Sequence, residues 1–302
     1  MTETHILIEF TKLQHPVLDL LASLFTFLGN EEFYFLIIPL IYWCFSAKTG
    51  FRLFYIFLLS VYINSFLKIT VAVERPIGTE GVNSIFISSA EVGSHYPYDS
   101  FPSGHAQGSA TLWGYLAAVV RRKWFTAAAL FLILSISLSR LYSGLHWPSD
   151  IVAGLILGGL VVSAGIFVQK RIIYLPGYLK WILGLVLPFL LVIIFPEEEG
   201  MKYAGILLGA GIGYFIQERA VNMQIDDRVW RRIAAFILGI TVTFTLQSGL
   251  KAYFPDTVLF DFIRYGVIGI WITLAAPFLF MKTGLYKRKS PFSIPPDYVF
   301  FR

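Results

Sequence analysis

The stretch Trp147–Val168, WPSDIVAGLILGGLVVSAGIFV, decides the fold class of this chain. Apart from Asp150 it carries no charged side chain, and it is long enough for a helix to cross a hydrocarbon layer of ~30 Å. The whole chain of 302 residues is 56% hydrophobic and 14% charged, which excludes an ordinary soluble domain. The sequence therefore predicts an integral membrane protein.

Similar apolar runs recur along the chain, and the first of them is the shortest and weakest. Together they predict an all-α, polytopic transmembrane helix bundle with a six-helix core and about four additional C-terminal helices. We accordingly divide the sequence into a catalytic core, residues 1–172, and an additional helical module, residues 173–302. The other runs are Pro16–Leu28, Phe33–Ser46, Phe51–Val71, His105–Val120, Thr126–Leu141, Leu175–Pro196, Met201–Ile216, Ile233–Ala252 and Val258–Met281.

Basic residues lie in alternate connections between the runs, which the positive-inside rule assigns to the cytoplasm. The chain is thus expected in the cell membrane with both termini inside, and residues 6–10 are expected along the inner surface. The net charge of +5 reflects this topology and does not indicate nucleic-acid binding. The basic residues are Lys48, Arg52, Arg121, Arg122, Lys123, Lys170, Arg171, Arg219, Arg228, Arg231, Arg232, Lys282, Lys287, Arg288 and Lys289.

Three polar clusters fall in the connections that face outward or towards a lumen. The first, KITVAVERP at residues 68–76, places Lys68 and Arg75 seven positions apart, which predicts one shared helix face. Pro76 disfavours helical geometry at the preceding residue, so the helix is expected to end at Arg75. Taken alone, the two cations also fit ordinary snorkelling at a helix end.

The second cluster, PSGH at residues 102–105, opens the fourth run. Ser103 is a good N-cap, Gly104 lets a ligand approach the backbone, and free N–H groups at a helix start attract anions. By itself this string also fits a capped helix with an incidental histidine, His105.

The third cluster is SRLYSGLHWPSD at residues 139–150. Arg140 ends one run, while His146 and Asp150 lie four positions apart at the start of the next, where Pro148 suits the first turn. A carboxylate there can hold one imidazole nitrogen protonated, which leaves the other as a base or nucleophile. Separate interfacial roles for His146 and Asp150 fit the spacing equally well.

In combination, the clusters resemble the type 2 phosphatidic acid phosphatase (PAP2) superfamily. Its pattern is Lys, six residues, Arg-Pro; then Pro-Ser-Gly-His; then Ser-Arg, five residues, His, three residues, Asp. Every specified position matches, and the resemblance covers about residues 51–159 but not the last four runs. The matching residues are Lys68, Arg75, Pro76, Pro102, Ser103, Gly104, His105, Ser139, Arg140, His146 and Asp150.

The resemblance implies a role for each group. His146 would attack phosphorus and form a phosphohistidine, Asp150 would orient it, and His105 would protonate the departing oxygen. Neither a metal nor a cofactor is expected, because the cations take the place of a metal. The phosphoryl oxygens would be bound by Lys68, Arg75, Ser103, Gly104 and Arg140.

The resemblance also implies a lipid phosphatase. Its substrate would be undecaprenyl diphosphate, phosphatidic acid, phosphatidylglycerol phosphate or a sphingoid-base phosphate, and its other partners would be membrane lipids. A first alternative is a lipid phosphotransferase, which would use the same groups. A second alternative is a lipid transporter that binds a headgroup without cleaving it. In the segment LGNEEFY, Glu31 and Glu32 are expected to form an outward-facing turn.

Several residues outside the clusters are expected to pack helices together. Gly205, Gly209 and Gly213 repeat every four residues along one face, as do Gly154 and Gly158, which permits close helix contact. Cys44, the lone cysteine, is expected to pack as a small apolar residue. Interhelical hydrogen bonds are the simplest role for the polar residues of the ninth run, Thr241, Thr243, Thr245, Gln247 and Ser248.

Overall fold

The computed structural model describes residues 2–86 and 95–289, and this part of the chain is almost entirely helical. The all-α prediction is confirmed, since each predicted run forms a helix. The π-helical turns Gln217–Val221 and Trp271–Ala275 follow α9 and α11, and β1 (Met223–Gln224) pairs antiparallel with β2 (Lys287–Arg288). The helices are α1 (Glu3–Thr11), α2 (Pro16–Phe27), α3 (Glu31–Cys44), α4 (Ala47–Val71), α5 (Gly104–Val120), α6 (Lys123–Tyr142), α7 (Pro148–Ile172), α8 (Gly177–Ile194), α9 (Glu198–Ile216), α10 (Val229–Tyr253), α11 (Val258–Ile270) and α12 (Ala276–Lys282).

The chain divides into two compact units. Unit 1 comprises Met1–Phe35 and Leu59–Phe167, and unit 2 comprises Leu36–Leu58 and Val168–Arg302. The later boundary lies between Phe167 and Val168. The segment Leu36–Leu58, in contrast, groups with the C-terminal helices.

This segment joins unit 2 because its side chains are buried there. The Trp43 indole donates a hydrogen bond to the Ile272 carbonyl and the Tyr42 hydroxyl donates one to the Thr273 carbonyl, both at 2.8 Å. Cys44 is 3% exposed and packs as predicted, with its thiol donating to a backbone carbonyl. A chain that lacked the C-terminal helices would leave the fully buried Trp43 without these partners, so truncation near residue 171 is expected to destabilise the protein.

Within the described ranges, six helices are long and apolar enough to cross a membrane, or seven if α2 and α3 together form one broken span. The six are α4, α6, α7, α8, α10 and the continuous stretch Val258–Lys282. The axes of α2 and α3 meet at a bend of 50°, which differs from the two separate spans predicted. These lengths and compositions support a polytopic membrane protein.

Glycines set close helix contacts within each unit, as predicted. A methyl group on Gly154 of α7 would lie 2.7 Å from the Ser103 carbonyl oxygen, and one on Gly158 would lie 2.7 Å from the Gln107 carbonyl oxygen. The partner of α7 at these positions is therefore α5. In unit 2, a methyl group on Gly205 of α9 would lie even closer to the Phe262 carbonyl oxygen of α11.

A ladder of buried hydrogen bonds fixes α4 against α5 in unit 1. The Asn64 amide donates to Gln107 Oε1 at 2.9 Å and to the Pro102 carbonyl at 3.2 Å. The Gln107 amide in turn donates to the Ser60 carbonyl at 2.7 Å, and the hydroxyls of Ser60 and Thr111 lie 2.8 Å apart. Because these buried polar groups are partnered, they hold the start of α5 firmly at small desolvation cost.

The N-terminal helix α1 lies beside the polar clusters, which corrects its expected position on the opposite, inner surface. Leu7 is fully buried against Ala106 of α5 and Ile151 of α7. The Ser149 N–H donates to the Glu3 carboxylate at 2.8 Å. The sequence prediction was wrong because a short amphipathic helix has the same pattern on either face of a membrane.

Helix α2 packs against the last turns of α6. Near its start, Asp19 accepts a hydrogen bond from the Tyr142 hydroxyl, and near its end the Thr26 and Ser139 hydroxyls lie 3.1 Å apart. These contacts are seven positions apart in α2, at Asp19 and Thr26, but only three positions apart in α6, at Tyr142 and Ser139. The turn between α2 and α3 reaches the start of α5, where Asn30 contacts His105.

Candidate active site

The first cluster does not lie on one helix face, so the prediction that α4 continues to Arg75 is wrong. Ala72 adopts a left-handed conformation with φ of 52°. Its N–H donates the last hydrogen bond of the helix, to the Lys68 carbonyl at 3.1 Å. The chain then leaves the helix direction, and the Arg75 N–H donates to the Pro97 carbonyl at 2.9 Å. An isolated left-handed residue ends a helix because the next peptide cannot continue its hydrogen-bond series.

Asp99 joins the two cations of the first cluster. Its carboxylate accepts hydrogen bonds from Arg75 Nε at 2.6 Å and Nη2 at 3.0 Å, and its backbone carbonyl accepts one from Lys68 Nζ. Arg75 Nη1 donates to the Leu145 carbonyl at 3.2 Å. Asp99 is 2% exposed and Arg75 5%, and such a bidentate pair fixes the guanidinium plane. Sequence reasoning missed Asp99, although its place in DSFPSGH, just before the second cluster, was available as a signal.

The second cluster caps α5 as predicted. Ser103 is the N-cap residue, and its hydroxyl accepts a hydrogen bond from the Ala106 N–H at 3.5 Å. The Ser103 N–H donates to the Asp150 carbonyl at 3.1 Å, which ties the second cluster to the third. The start of α5 and the start of α7 are therefore held together.

His105 is contacted by the turn between α2 and α3. Its Nε2 lies 2.8 Å from Asn30 Oδ1, and Asn30 is 4% exposed. A methyl group on the preceding Gly29 would lie 2.8 Å from the imidazole ring, so this close approach requires glycine. Sequence reasoning considered the neighbouring Glu31 and Glu32, which are exposed at the start of α3, and missed Asn30.

The third cluster pairs its histidine with its carboxylate. His146 Nδ1 lies 3.4 Å from Asp150 Oδ2. The same oxygen accepts hydrogen bonds from the Trp147 N–H at 2.7 Å and the Ser100 hydroxyl at 2.5 Å. Both His146 and Asp150 are buried, so these bonds hold the carboxylate in one orientation against the imidazole.

Three cations act on the buried imidazole. Arg140 is fully buried in the last turn of α6, and its Nη1 lies 3.4 Å from the Thr26 hydroxyl. Burial, together with the positive charges of Arg75, Lys68 and Arg140, holds the pKa of His146 well below its usual value of 6.5. The structure therefore brings the predicted cations together around the predicted histidine.

We expect the His146 ring to stay neutral while the pH falls through 6.5, because a lowered pKa means that protonation begins only at a more acidic pH. The measurement is a pH series of ¹⁵N–¹H spectra on histidine-labelled protein in detergent micelles, with the resonance assigned by its loss in His146→Gln. A titration midpoint at or above 6.5 would contradict the electrostatic arrangement.

The buried site contains two histidines, the carboxylate of Asp150 and three cations, which are groups that can bind and attack a phosphate. Residues 49–174 match the PAP2 superfamily, and residues 201–288 match the PAP2 superfamily phosphatase transmembrane extension. The chain therefore belongs to the PAP2 superfamily, which confirms the resemblance carried by the three clusters. The second match assigns most of the C-terminal helices, which the clusters left unassigned, to a known extension of the family.

Named relatives are lipid phosphatases. The chain is 36% identical to the lipid A 4'-phosphatase of Bacteroides thetaiotaomicron over 32% of this chain and 42% of that protein. It is 27% identical to the undecaprenyl-diphosphatase of Sulfolobus acidocaldarius over 41% of this chain and 57% of that protein. It is 29% identical to mouse sphingosine-1-phosphate phosphatase 1 over 51% of this chain and 36% of that protein. The chain thus spans less than two thirds of the length of each relative. The crystal structure of Aquifex aeolicus LpxE aligns with 54% of this chain and 93% of its own, with 21% identity and a TM-score of 0.47.

Proposed function

We propose that this protein is a lipid phosphatase that hydrolyses a phosphate monoester or diphosphate of a membrane lipid through a phosphohistidine on His146. The observation that carries the proposal is the buried His146–Asp150 pair beside Arg75, Lys68 and Arg140. A site that merely binds a headgroup needs cations but does not need an oriented, neutral imidazole among them. The lipid phosphatase relatives support the same class of reaction.

In the first half-reaction, the free Nε2 of His146 attacks phosphorus while the bond to the lipid oxygen breaks. Asp150 keeps the proton on Nδ1, so the lone pair lies on the attacking nitrogen and the developing positive charge is stabilised. Lys68, Arg75 and Arg140 stabilise the phosphoryl charge, because cations in a water-poor site act at reduced dielectric screening.

The departing lipid oxygen needs a proton, and we assign its delivery to the Nδ1–H of His105, which enters the first half-reaction as an imidazolium with its Nε2–H on Asn30 and leaves it neutral. In the second half-reaction, His105 takes a proton from water, the hydroxyl oxygen bonds to phosphorus, and the bond from phosphorus to His146 breaks to release phosphate. We assign Asn30 as the residue that positions His105, since its carbonyl oxygen accepts the imidazole Nε2–H at 2.8 Å. Asp99 has the equivalent positioning role for Arg75.

The proposal is tested by phosphate release from purified protein across a panel of the four lipid classes named above. We expect turnover of at least one of them to change by less than about twofold in excess EDTA, because the cations replace a metal, and to be inhibited by vanadate. Loss of turnover on chelation that is restored by Mg²⁺ would contradict this mechanism. Transfer to an added alcohol that exceeds release to water would identify a phosphotransferase instead.

We further propose that the site faces the extracytoplasmic side of the cell membrane, because the basic connection at Arg121–Lys123 lies at the opposite ends of α5 and α6 from the site. Single cysteines in a Cys44→Ser background test this. A membrane-impermeant thiol reagent applied to intact cells is expected to label Glu80→Cys and to spare Lys123→Cys, since both positions are exposed. Labelling of position 123 with protection of position 80 would reverse the topology.

A further inference from the structure

Unit 2 contains a polar cavity of its own, with a volume of about 560 Å³. It lies where α9 begins, α10 ends and α11 begins. Charged side chains at the ends of membrane helices lie near the level of the lipid headgroups. Its lining residues are Glu198, Lys202, Gln247, Lys251, Asp256, Thr257, Val258, Asp261, Arg264 and Tyr265.

Four of the charges in this cavity are already paired with one another. Glu198 contacts Lys202, and Asp261 contacts Arg264. The second pair is nearly buried, with side chains 5% and 7% exposed, and the Arg264 guanidinium also lies 5.5 Å from the centre of the Tyr265 ring. Within each pair, the two opposite charges offset each other.

Two opposite charges remain at the edge of the cavity. Lys251 and Asp256 are both exposed, and neither forms an ion pair within the described ranges of the chain. Gln247, which follows the threonines of α10, also lines the cavity and has no hydrogen-bond partner among the described residues. Thr243, by comparison, accepts an interhelical hydrogen bond from the Trp271 indole at 3.1 Å, as predicted for this polar stripe.

Apolar surface begins directly at the cavity. Val258 lines it and is 44% exposed, and Leu259, Ile263 and Val267 continue along α11 with exposed side chains. Such surface on a membrane helix faces acyl chains. A ligand with one positive and one negative group and an apolar tail would therefore match both the cavity edge and the adjoining helix face.

We propose that this cavity binds the headgroup of a zwitterionic phospholipid of the phosphoethanolamine type. Lys251 binds the phosphate, Asp256 binds the ammonium group, and Gln247 and Thr257 bind the ester oxygens. The described residues of the lining include three cations and three carboxylates, and such a balanced set favours a neutral headgroup over an anionic one. The proposal is one of binding and is independent of the reaction in unit 1.

Native mass spectrometry of the purified protein in detergent tests this site. Phosphatidylethanolamine and phosphatidylglycerol with the same acyl chains are added at equal concentration. We expect preferential retention of phosphatidylethanolamine, and a loss of retention of roughly tenfold in Lys251→Gln and in Asp256→Asn, because each removes one charge-assisted contact. Lys170→Gln, which changes an exposed lysine away from the cavity, is the matched control and should retain the lipid as the wild type does.

Three outcomes would overturn the proposal. Equal retention of the two lipids by the wild type would remove the headgroup preference. Unchanged retention in both cavity variants would place the lipid elsewhere. Displacement of the lipid by an equal concentration of soluble glycerophosphoethanolamine would show that the cavity takes a soluble phosphoester. Turnover of p-nitrophenyl phosphate is expected to be the same in all variants, which verifies that they fold.

Discussion

His146→Ala is expected to abolish phosphate release, with a loss of roughly 10⁴-fold or more in kcat/KM. The substitution removes the nitrogen that bonds to phosphorus, and the nearby Arg75, Lys68 and Arg140 cannot form a covalent intermediate in its place. These cations can still bind the phosphate, so the KM of residual activity is expected to change much less than kcat. This division between binding and chemistry distinguishes loss of a nucleophile from loss of a binding group.

The covalent intermediate provides a second measurement. Wild-type protein mixed with ³²P-labelled substrate and quenched in alkali should carry a label that is stable in base and released in acid, as a phosphorus–nitrogen bond requires. His146→Ala should carry none. His95→Ala is the matched control, because His95 is an exposed histidine in a loop near the second cluster, and it should keep both label and turnover. Labelling of His146→Ala at the wild-type level would place the nucleophile elsewhere.

The sequence could predict those parts of the site that depend on local signals. Ser103 caps α5 because a hydroxyl next to a helix start can accept a backbone N–H, and that rule needs no tertiary information. His146 and Asp150 meet because four residues around a helix start bring side chains to one face. That Gly154 packs closely against another helix followed equally from spacing and residue size, but its partner α5 did not.

The parts that sequence reasoning missed depend on contacts between distant segments. Asp99 acts through Arg75, which is 24 positions away, and Asn30 acts through His105, which is 75 positions away. No local periodicity marks either residue, since each lies in a turn outside the apolar runs. The same limit explains α1: its sequence defines an amphipathic surface, but the burial of Leu7 against α5 and α7 decides where that surface lies.

The end of α4 shows a different limit. Pro76 is a genuine stop signal, yet the helix ends earlier, where Ala72 adopts a positive φ. Alanine carries no intrinsic preference for that conformation. The extended pairing of Arg75 with Pro97 and the ion pair with Asp99 stabilise it instead. Local propensity thus predicted a helix end, and tertiary contacts set its position.

His105→Ala is expected to lower kcat/KM on a lipid phosphate by roughly 10²- to 10⁴-fold, the usual contribution of a general acid. The loss on p-nitrophenyl phosphate is expected to be much smaller, because p-nitrophenolate leaves without a proton. The ratio of the two losses is therefore the measurement. Equal losses on the two substrates would argue that His105 binds or packs and does not deliver the proton.

Asn30→Ala is expected to reproduce this dependence on the leaving group in weaker form, with a loss of about tenfold on the lipid substrate. Asn30 touches His105 and acts through it, so removing its carbonyl oxygen frees the imidazole to turn away from the departing oxygen. A purely structural role for Asn30 would lower turnover of both substrates alike, so the ratio separates positioning from stability. Asn83→Ala, at an exposed asparagine, is the matched control and should leave both activities unchanged. A loss in Asn30→Ala that is the same for both substrates would remove Asn30 from the proton-transfer step.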